Sequence, residues 1–207
     1  MAHAGMVLDP PNSPAWIFDP GALFTEFMLT GGPGELVRYD VLHTPDDLRR
    51  WAQASRLELD PSRLDVTPDE VPVGRALRDA LWRSSWDAIA GLRVSAADLA
   101  VLNDAASRPD LAPQVGGDQQ LTWADPATGA AVLSSVARDA IHVLTGPAVE
   151  RLRECEGDNC RLVFLDTSRP GTRRWCSMQR CGNRHKVRAL RSRRAGRPAA
   201  DQAADVG

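Results

Sequence analysis

The 207-residue sequence lacks the segments that would direct it into a membrane or across one. Residues 1–18 contain no charged region followed by an uninterrupted apolar stretch, so we expect no signal peptide. No apolar run approaches the roughly 18 residues that indicate a membrane-spanning helix. These absences predict a cytoplasmic protein.

Familiar catalytic signatures are also missing from the sequence. It contains no GxSxG, P-loop or GxGxxG motif. A catalytic zinc ion would need an open coordination position, and no set of histidine and carboxylate ligands is recognisable for it. The histidines are scattered along the chain, at His3, His43, His142 and His185. We therefore expect no enzymatic activity.

Cysteine is absent from the first 154 residues and then occurs four times in the pattern C-x4-C-x15-C-x4-C. These residues are Cys155, Cys160, Cys176 and Cys181. Two close pairs of thiolates supply the tetrahedral sulfur coordination of a structural zinc ion. Two disulfides are the alternative, which reducing conditions in the cytosol disfavour. The spacing predicts one structural Zn²⁺ per chain.

Charge is distributed unevenly, although the net charge is only −2. From Arg151 onward there are 14 basic and 6 acidic residues, whereas the first 150 residues hold 11 basic and 21 acidic ones. Residues 169–197 contain 11 cations and no carboxylate that would neutralise them locally. This excess favours a polyanionic partner, nucleic acid above all, over the alternative of a merely solvated helix face.

Helix-start signals predict a mainly α N-terminal domain with minor β-structure. Residues 44–47 and 67–70 each offer a threonine N-cap, a proline at the first helical position and acids in the first turn. Ser95 caps a third predicted helix, and a fourth covers about 130–144 before Gly-Pro at 146–147. Weaker alternation predicts strands at 36–42 and 119–123.

Around the cysteines, the sequence predicts a short strand at 162–165 and a turn at 169–172. Gly157 would let the backbone approach a sulfur, and Gly182 would take a positive φ. Residues five apart on a helix point about 140° away from each other, so Cys176 and Cys181 cannot share one regular helix. We expect a loop at 177–180 and then a helix at 184–194, capped by Asn183.

The predicted final helix carries the cations that would contact nucleic acid. Arg184, Arg188 and Arg191 form one stripe, and Lys186 and Arg193 form a second. The remaining predicted contacts are Arg173, Arg174, Arg180 and Arg194.

Two side-chain groups are predicted to support the metal centre. Asp166 and Ser168 would organise the turn, and Asp166 could pair with Arg173 or Arg174 behind the second cysteine pair. Trp175 is predicted to shield the cluster, with base stacking as its alternative role.

Residues 181–184 read Cys-Gly-Asn-Arg, and with 164–168, 173–178 and Lys186 they resemble the CGNR zinc finger. Such fingers usually follow an ABATE domain, and 48–51, 77–81 and 99–103 are similar to its helices. The resemblance covers residues 23–194 and departs from the family at 27–30, which lacks the family's asparagine. It implies a bacterial zinc protein among stress-related, DNA-binding transcription regulators.

These observations divide the chain into four predicted parts. They are a flexible N-terminus at 1–15, an ABATE-like domain at 16–148, a CGNR-type finger with a basic helix at 149–197 and a disordered tail at 198–207. The combination predicts a zinc-binding, DNA-binding transcriptional regulator. Its acidic N-terminal domain would bind an effector or partner and could mask the arginines. The alternatives are a zinc-stabilised protein-interaction module and an RNA-binding protein.

Overall fold

The computed structural model describes residues 5–9, 14–117 and 119–195 of the chain. About half of this part is helical, with short strands between the helices, which confirms the predicted fold class. The α-helices are α1 (Leu23–Met28), α2 (Pro45–Ala54), α3 (Glu70–Ile89), α4 (Ala96–Ala106), α5 (Gly129–Thr145) and α6 (Asn183–Ala195). Shorter 3₁₀ segments cover Gly34–Tyr39, Pro61–Arg63 and Pro147–Arg151, and a π-helical turn covers Met178–Gly182.

The strands form four two-stranded sheets in the described residues. Three pairs are antiparallel: β1 (Met6–Leu8) with β2 (Trp16–Phe18), β4 (Pro113–Val115) with β5 (Leu121–Trp123), and β7 (Leu152–Glu154) with β8 (Val163–Leu165). One pair is parallel: β3 (Leu64–Asp65) with β6 (Ala127–Thr128). The predicted strands near 119–123 and 162–165 are confirmed.

Helices α1, α3, α4 and α5 pack together around the main hydrophobic core. Helix α5 has one buried apolar face, formed by Val132, Val136, Ala140 and Val143. A face with this spacing buries apolar surface along one side of the helix and leaves the other side for water. Among the described residues, none of the helices is both long and apolar enough to cross a bilayer.

Predicted caps explain where α2 and α4 begin. Thr44 accepts a hydrogen bond from the Asp47 amide, and the Asp47 carboxylate accepts one in return from the Thr44 amide. Ser95 caps α4 in the same way through the Asp98 amide. Helix α3, predicted to start from the cap at Thr67, begins later than predicted, at Glu70. Its carboxylate accepts from the amides of Thr67 and Ala130, which ties the start of α3 to the start of α5.

The strand predicted at 36–42 is wrong, because most of this segment is a 3₁₀ helix. Val37, Tyr39 and Val41 are all exposed, so the alternation in the sequence did not mark a buried face. A buried arginine instead holds the segment from outside it. The Arg78 guanidinium donates to the Thr30 carbonyl and to the Asp40 carboxylate.

The prediction of a flexible segment at 1–15 requires correction for β1. Met6–Leu8 pairs with Trp16–Phe18, and Met6 is buried against the main core. The rest of the prediction for 1–4 and 10–13, and the whole of the predicted tail at 198–207, lies outside the described residues.

The β7–β8 hairpin forms a wall between two hydrophobic cores. Leu152 and Val163 belong to the main core, whereas Phe164 on the opposite face belongs to a small core around the cysteines. Residues 14–20, called the N-terminal segment below, contact the same hairpin. The Leu165 amide donates to the Pro20 carbonyl at 2.8 Å, and a Cβ on Gly21 would lie 2.2 Å from the Leu165 carbonyl oxygen. Only glycine fits this close approach, and its φ of +86° also favours glycine.

Candidate metal centre and adjoining basic surface

The four cysteines converge from three separate parts of the C-terminal region. Cys155 follows β7, and Cys160 closes a turn in which its amide donates to the Gly157 carbonyl. Cys176 precedes the π-helical turn, and Cys181 lies within it. Their sulfur atoms all lie within 4.8 Å of one another. Three of the four are buried, and Cys160 is partly buried. The four predicted ligands therefore form one cluster.

The second pair meets the cluster because the chain changes direction at Ser177. Ser177 is extended, and its hydroxyl accepts from the Gln179 amide at the start of the π-helical turn. The Gly182 amide then donates to the Ser177 carbonyl, five residues back. Cys176 thus lies before the helix and Cys181 within its first turn. This arrangement confirms that the two cannot share one regular helix.

Two predictions about this turn need correction. Asn183 is not an N-cap, because its backbone is helical and continues the π-helical turn, and its side-chain amide donates to the Gln179 carbonyl. Gly182 lies inside the turn without a positive φ. A Cβ there would lie 2.8 Å from the Met178 sulfur, so close packing explains the glycine.

Gly157 allows the approach to sulfur that the sequence predicted. A Cβ at this position would lie 2.8 Å from the Cys181 sulfur and 3.2 Å from the Cys160 Cβ. Real Cβ atoms do not come this close, so any larger residue would push a ligand out of position.

The sulfur geometry fits a tetrahedral zinc ion. With Zn–S bonds of about 2.3 Å, this geometry requires sulfur–sulfur separations of about 3.8 Å. The separation is 3.8 Å between Cys160 and Cys176 and 3.5 Å between Cys176 and Cys181. Four cysteine ligands leave no open position, as in structural sites. The cluster is therefore a zinc site.

The crowded sulfur atoms shift one another's pKa in opposite directions. Donation from the Cys160 and Cys176 thiols lowers the pKa of Cys155 to about 2. A thiol that donates its proton to Cys155 is harder to ionise. This hydrogen bond therefore raises the pKa of Cys160 to about 12 and also raises the pKa of Cys176. Zinc requires deprotonated ligands, so its binding must release protons and weaken as the pH falls.

Comparison with protein families accounts for most of the chain. A family model named ABATE and described as "putative stress-induced transcription regulator" matches residues 21–147. The chain belongs to this family. A second model, the CGNR zinc finger, matches residues 151–194 and includes all four zinc ligands. A comparison with curated proteins gave no match.

Behind the zinc site of the CGNR finger, Asp166 organises the chain between the two cysteine pairs. It is fully buried and accepts hydrogen bonds from the amides of Ser168 and Arg173. Burial favours a raised pKa, yet the hydrogen bonds from Ser168 and Arg173 hold the pKa of Asp166 below its usual range. The predicted supporting role of Asp166 and Ser168 therefore has a structural basis, through backbone amides instead of an arginine side chain.

Arg173 was predicted to contact nucleic acid, but its guanidinium is occupied within the protein. It donates to the carbonyls of Trp175 and Cys176, and to that of Asp19 from the N-terminal segment. It also lies 4.2 Å from the centre of the Phe164 ring. These contacts join the finger to the N-terminal segment, so we assign Arg173 a structural role.

Trp175 packs against the cysteine core, as a shield for the cluster would. The ring of His185 lies 4.8 Å from it, and the Arg174 guanidinium lies 5.2 Å from its centre. Arg174 is also paired with Glu156. The Trp175 ring therefore already has two neighbours, His185 and Arg174.

The structure places the remaining predicted cations around α6. The side chains of Arg184, Lys186, Arg188 and Arg191 are exposed, and Arg180 is half-buried. The side chains of Arg193 and Arg194 lie outside the part of the chain that can be described. Acids from the first cysteine spacer pair with two cations, since Asp158 contacts Arg188 and Glu156 contacts Arg174. This corrects the expectation that nothing neutralises the run locally.

Sequence reasoning missed the contribution of β2 to the finger. Phe18 is 1% exposed and belongs to the small core with Cys155, Phe164, Cys176 and Cys181. Trp16 lies beside it, with 5.3 Å between the ring centres. The apolar residues two apart were the available signal, because alternate residues of a strand share a face.

Proposed function

We propose that this ABATE-family protein is a transcription regulator that binds duplex DNA through its CGNR finger. The observation that carries the proposal is the connection between the zinc site and α6. Cys181 lies in the π-helical turn that continues directly into α6, and Arg184, Arg188 and Arg191 are exposed on that helix. Zinc therefore holds the start of a helix whose cations face solvent.

The arginines would act mainly on phosphates. Each phosphate that they neutralise releases condensed counterions, which favours binding and makes it sensitive to salt. Arginine suits this contact because its planar guanidinium can donate two parallel hydrogen bonds to one phosphate. Specific bases would have to be recognised by other groups, so phosphate contacts alone predict affinity without sequence preference.

The zinc ion has a structural role in this proposal. When bound, it supplies a cross-link between β7, the turn at 157–160 and the start of α6. All four ligand positions are cysteines, and such sites stabilise folding instead of activating water. We accordingly propose no enzymatic activity. Cysteines that form no disulfide also suit a reducing compartment, which supports a cytoplasmic location.

The ABATE domain would serve as the effector or interaction module. A cavity of about 890 Å³ lies between residues 56–63 and 120–127, and this volume suits a small organic molecule. Leu57, Leu59 and Trp123 give it apolar walls, and the ion pair of Arg63 with Asp125 lies at its edge. A ligand would regulate DNA binding only through a different affinity for the bound and free states.

Salt-dependent binding of the zinc-loaded full chain tests the proposal. Fluorescence anisotropy would compare duplex DNA, RNA of the same sequence and an acidic polypeptide. We expect the tightest binding to duplex DNA, and the triple variant R184A/R188A/R191A should weaken it for every sequence. The slope of log K against log[salt] should flatten by about 0.9 for each lost phosphate contact.

The same measurement separates the alternatives. Preference for RNA would favour an RNA-binding protein, and preference for the acidic polypeptide would favour a protein-interaction module. A triple variant that binds duplex DNA as tightly as the parent at every salt concentration would contradict the proposed role of α6.

A further inference from the structure

A groove lies between residues 14–16 of the N-terminal segment and helix α6 of the finger. It has a volume of about 610 Å³ and is bounded on one side by residues 14–16. This segment lies outside both matched regions, 21–147 and 151–194. The opposite wall comes from the π-helical turn and α6, and its main side chains are Arg180, Arg184, Val187, Arg188 and Arg191.

The alternation of β2 brings Trp16 to this groove. Ile17 is 61% exposed, whereas Phe18 is buried in the core of the zinc site. Trp16 shares the face of Phe18, as residues two apart in a strand do, and the two rings are 5.3 Å apart. Pairing of Trp16 with Leu8 holds the strand in register. The core of the finger therefore anchors the N-terminal wall of the groove.

Trp16 in turn positions Arg180. The Arg180 guanidinium lies 5.2 Å from the centre of the Trp16 ring, within the range of a cation–π contact. Arg180 is half-buried, unlike the exposed arginines of α6. A side chain that is already held loses less conformational freedom when it binds a ligand, which favours binding. The pair is therefore a preorganised cation at one end of the groove.

The charge and size of the groove indicate what it can hold. Among the described residues, all the charged side chains that line it are arginines. Arg180, Arg184 and Arg188 follow one another at intervals of four positions, so the cations recur about every 6 Å along the helical segment. Together with Arg191 they extend over about 16 Å, a length that spans several phosphates of one strand. A volume of about 610 Å³ has room for a strand segment and excludes a whole duplex.

We propose that this groove holds the phosphodiester backbone of one nucleic-acid strand between Trp16 and α6, with Trp16 and Arg180 as a clamp. The inference rests on the proposed function and adds a second wall to the interface. The strand could come from a duplex or from single-stranded DNA, and both present the same phosphates. The clamp thus makes the N-terminal segment part of the binding site.

Variants of the clamp test this inference in the zinc-loaded full chain. Arg180→Gln removes the positioned cation, and Trp16→Leu removes the ring that positions it. Arg180→Gln should weaken binding to a 16-nucleotide strand or its duplex about tenfold, which is typical for the loss of a charge-assisted hydrogen bond. Trp16→Leu should weaken it by a smaller factor, because the cation remains but is no longer held in place. Trp16→Phe keeps an aromatic face and should retain most of the affinity.

The matched control is Arg169→Gln, an exposed arginine of the finger that does not line the groove. It removes the same charge and should change affinity less than twofold. Adding Trp16→Leu to Arg180→Gln should cause little further loss, because the two side chains act as one unit. Zinc content and circular dichroism check that each variant is folded. Arg180→Gln leaves the Trp16 ring in place and keeps the test valid if Trp16→Leu does not fold.

Comparison of the two DNA forms identifies the source of the strand. Equal losses on duplex and single-stranded DNA would support a backbone contact common to both, and a loss confined to one form would assign the strand to it. If Arg180→Gln and Trp16→Leu match Arg169→Gln while the triple α6 variant loses binding, the groove is not the path of the strand and the proposed function stands. If the parent binds no nucleic acid even at low salt, the proposed function fails and this inference with it.

Discussion

The ABATE domain and the CGNR finger are stabilised by different physical means. The helical domain has an extensive core in which Phe24, Phe27, Leu77 and Leu81 are almost fully buried. Among the described residues, the buried core around the zinc site has five members, and three of them are zinc ligands. Burial of apolar surface can stabilise the first region, but the second has too little of it. The comparison indicates that zinc takes the place of a hydrophobic core in the finger.

The two regions are nevertheless not independent. The β7–β8 hairpin contributes Leu152 and Val163 to the helical core and Phe164 to the core of the finger. Phe18 and the Asp19 carbonyl, from the beginning of the chain, contact the finger directly. A finger produced without the rest of the chain would lose these contacts. Experiments on the finger therefore require the full chain.

Removal of zinc should produce the largest difference between the regions. Cys181→Ser leaves three thiolates, and structural zinc contributes about 10–16 kcal/mol of apparent binding energy in finger peptides. We expect loss of stoichiometric zinc and rapid amide exchange from residue 155 onward, with protection retained in α3 and α5. Elemental analysis and hydrogen exchange measure these two effects. Met178→Leu, an exposed position in the same turn, is the control. Equal protection of the finger with and without zinc would contradict the comparison.

Truncating one phenylalanine in each core should show that the two cores stabilise different regions. Phe18 and Phe24 are both essentially buried, and Phe→Ala in a core typically costs about 3–5 kcal/mol. Phe18→Ala should weaken zinc binding more than it lowers the melting temperature of the helices, and Phe24→Ala should do the reverse. Competition with a chromophoric chelator reports zinc affinity, and circular dichroism reports the helices. Identical effects of the two variants on both readouts would show that the cores act as one.

A smaller effect on zinc binding is expected at Gly157, which lies against the zinc ligand Cys181. Gly157→Ala places a Cβ 2.8 Å from the Cys181 sulfur, and overpacking of this kind costs about 1–3 kcal/mol. Zinc affinity should therefore fall about tenfold while the helical domain is unaffected. Gly117→Ala is the matched control, because a Cβ there would meet nothing within 4 Å. Unchanged zinc affinity in Gly157→Ala would mean that the turn can move aside.

The smallest predicted effect concerns an acid in the helical domain. Hydrogen bonds from Arg83 and then Ser95 hold the pKa of Asp98 below its usual range despite its burial. A lowered pKa contributes stability above the unfolded value near 3.9 and loses it as the pH falls through the folded value. Asp98→Asn should lower the free energy of unfolding by about 1 kcal/mol at pH 7, since Arg83 is partly exposed.

This difference between parent and Asp98→Asn should shrink below about pH 4, where the parent carboxylate also becomes protonated. Urea unfolding at several pH values measures it, with Asp104→Asn as an exposed control on the same helix. A difference that stays constant down to pH 2.5 would exclude the carboxylate charge as its cause.

Local chemistry made part of this protein predictable. Thr44 and Ser95 cap their helices as predicted, because a capping bond involves residues three apart. The predictions for residues 36–42 and Asn183 failed for the opposite reason. Partners distant in sequence hold the first segment, and the π-helical turn before Asn183 depends on the position of the cysteine ligands.

The sequence by itself determined the zinc ligands, the helical character of the first domain and the excess of cations in the finger. Each of these follows from residue types and short spacings, which are local properties of the chain. Tertiary structure decided which cations remain exposed. Arg173 is occupied by carbonyls that include one 154 residues away, and Arg180 rests on Trp16 from the beginning of the chain. The partners of a long, flexible side chain depend on what the fold brings near it, and no spacing in the sequence specifies that.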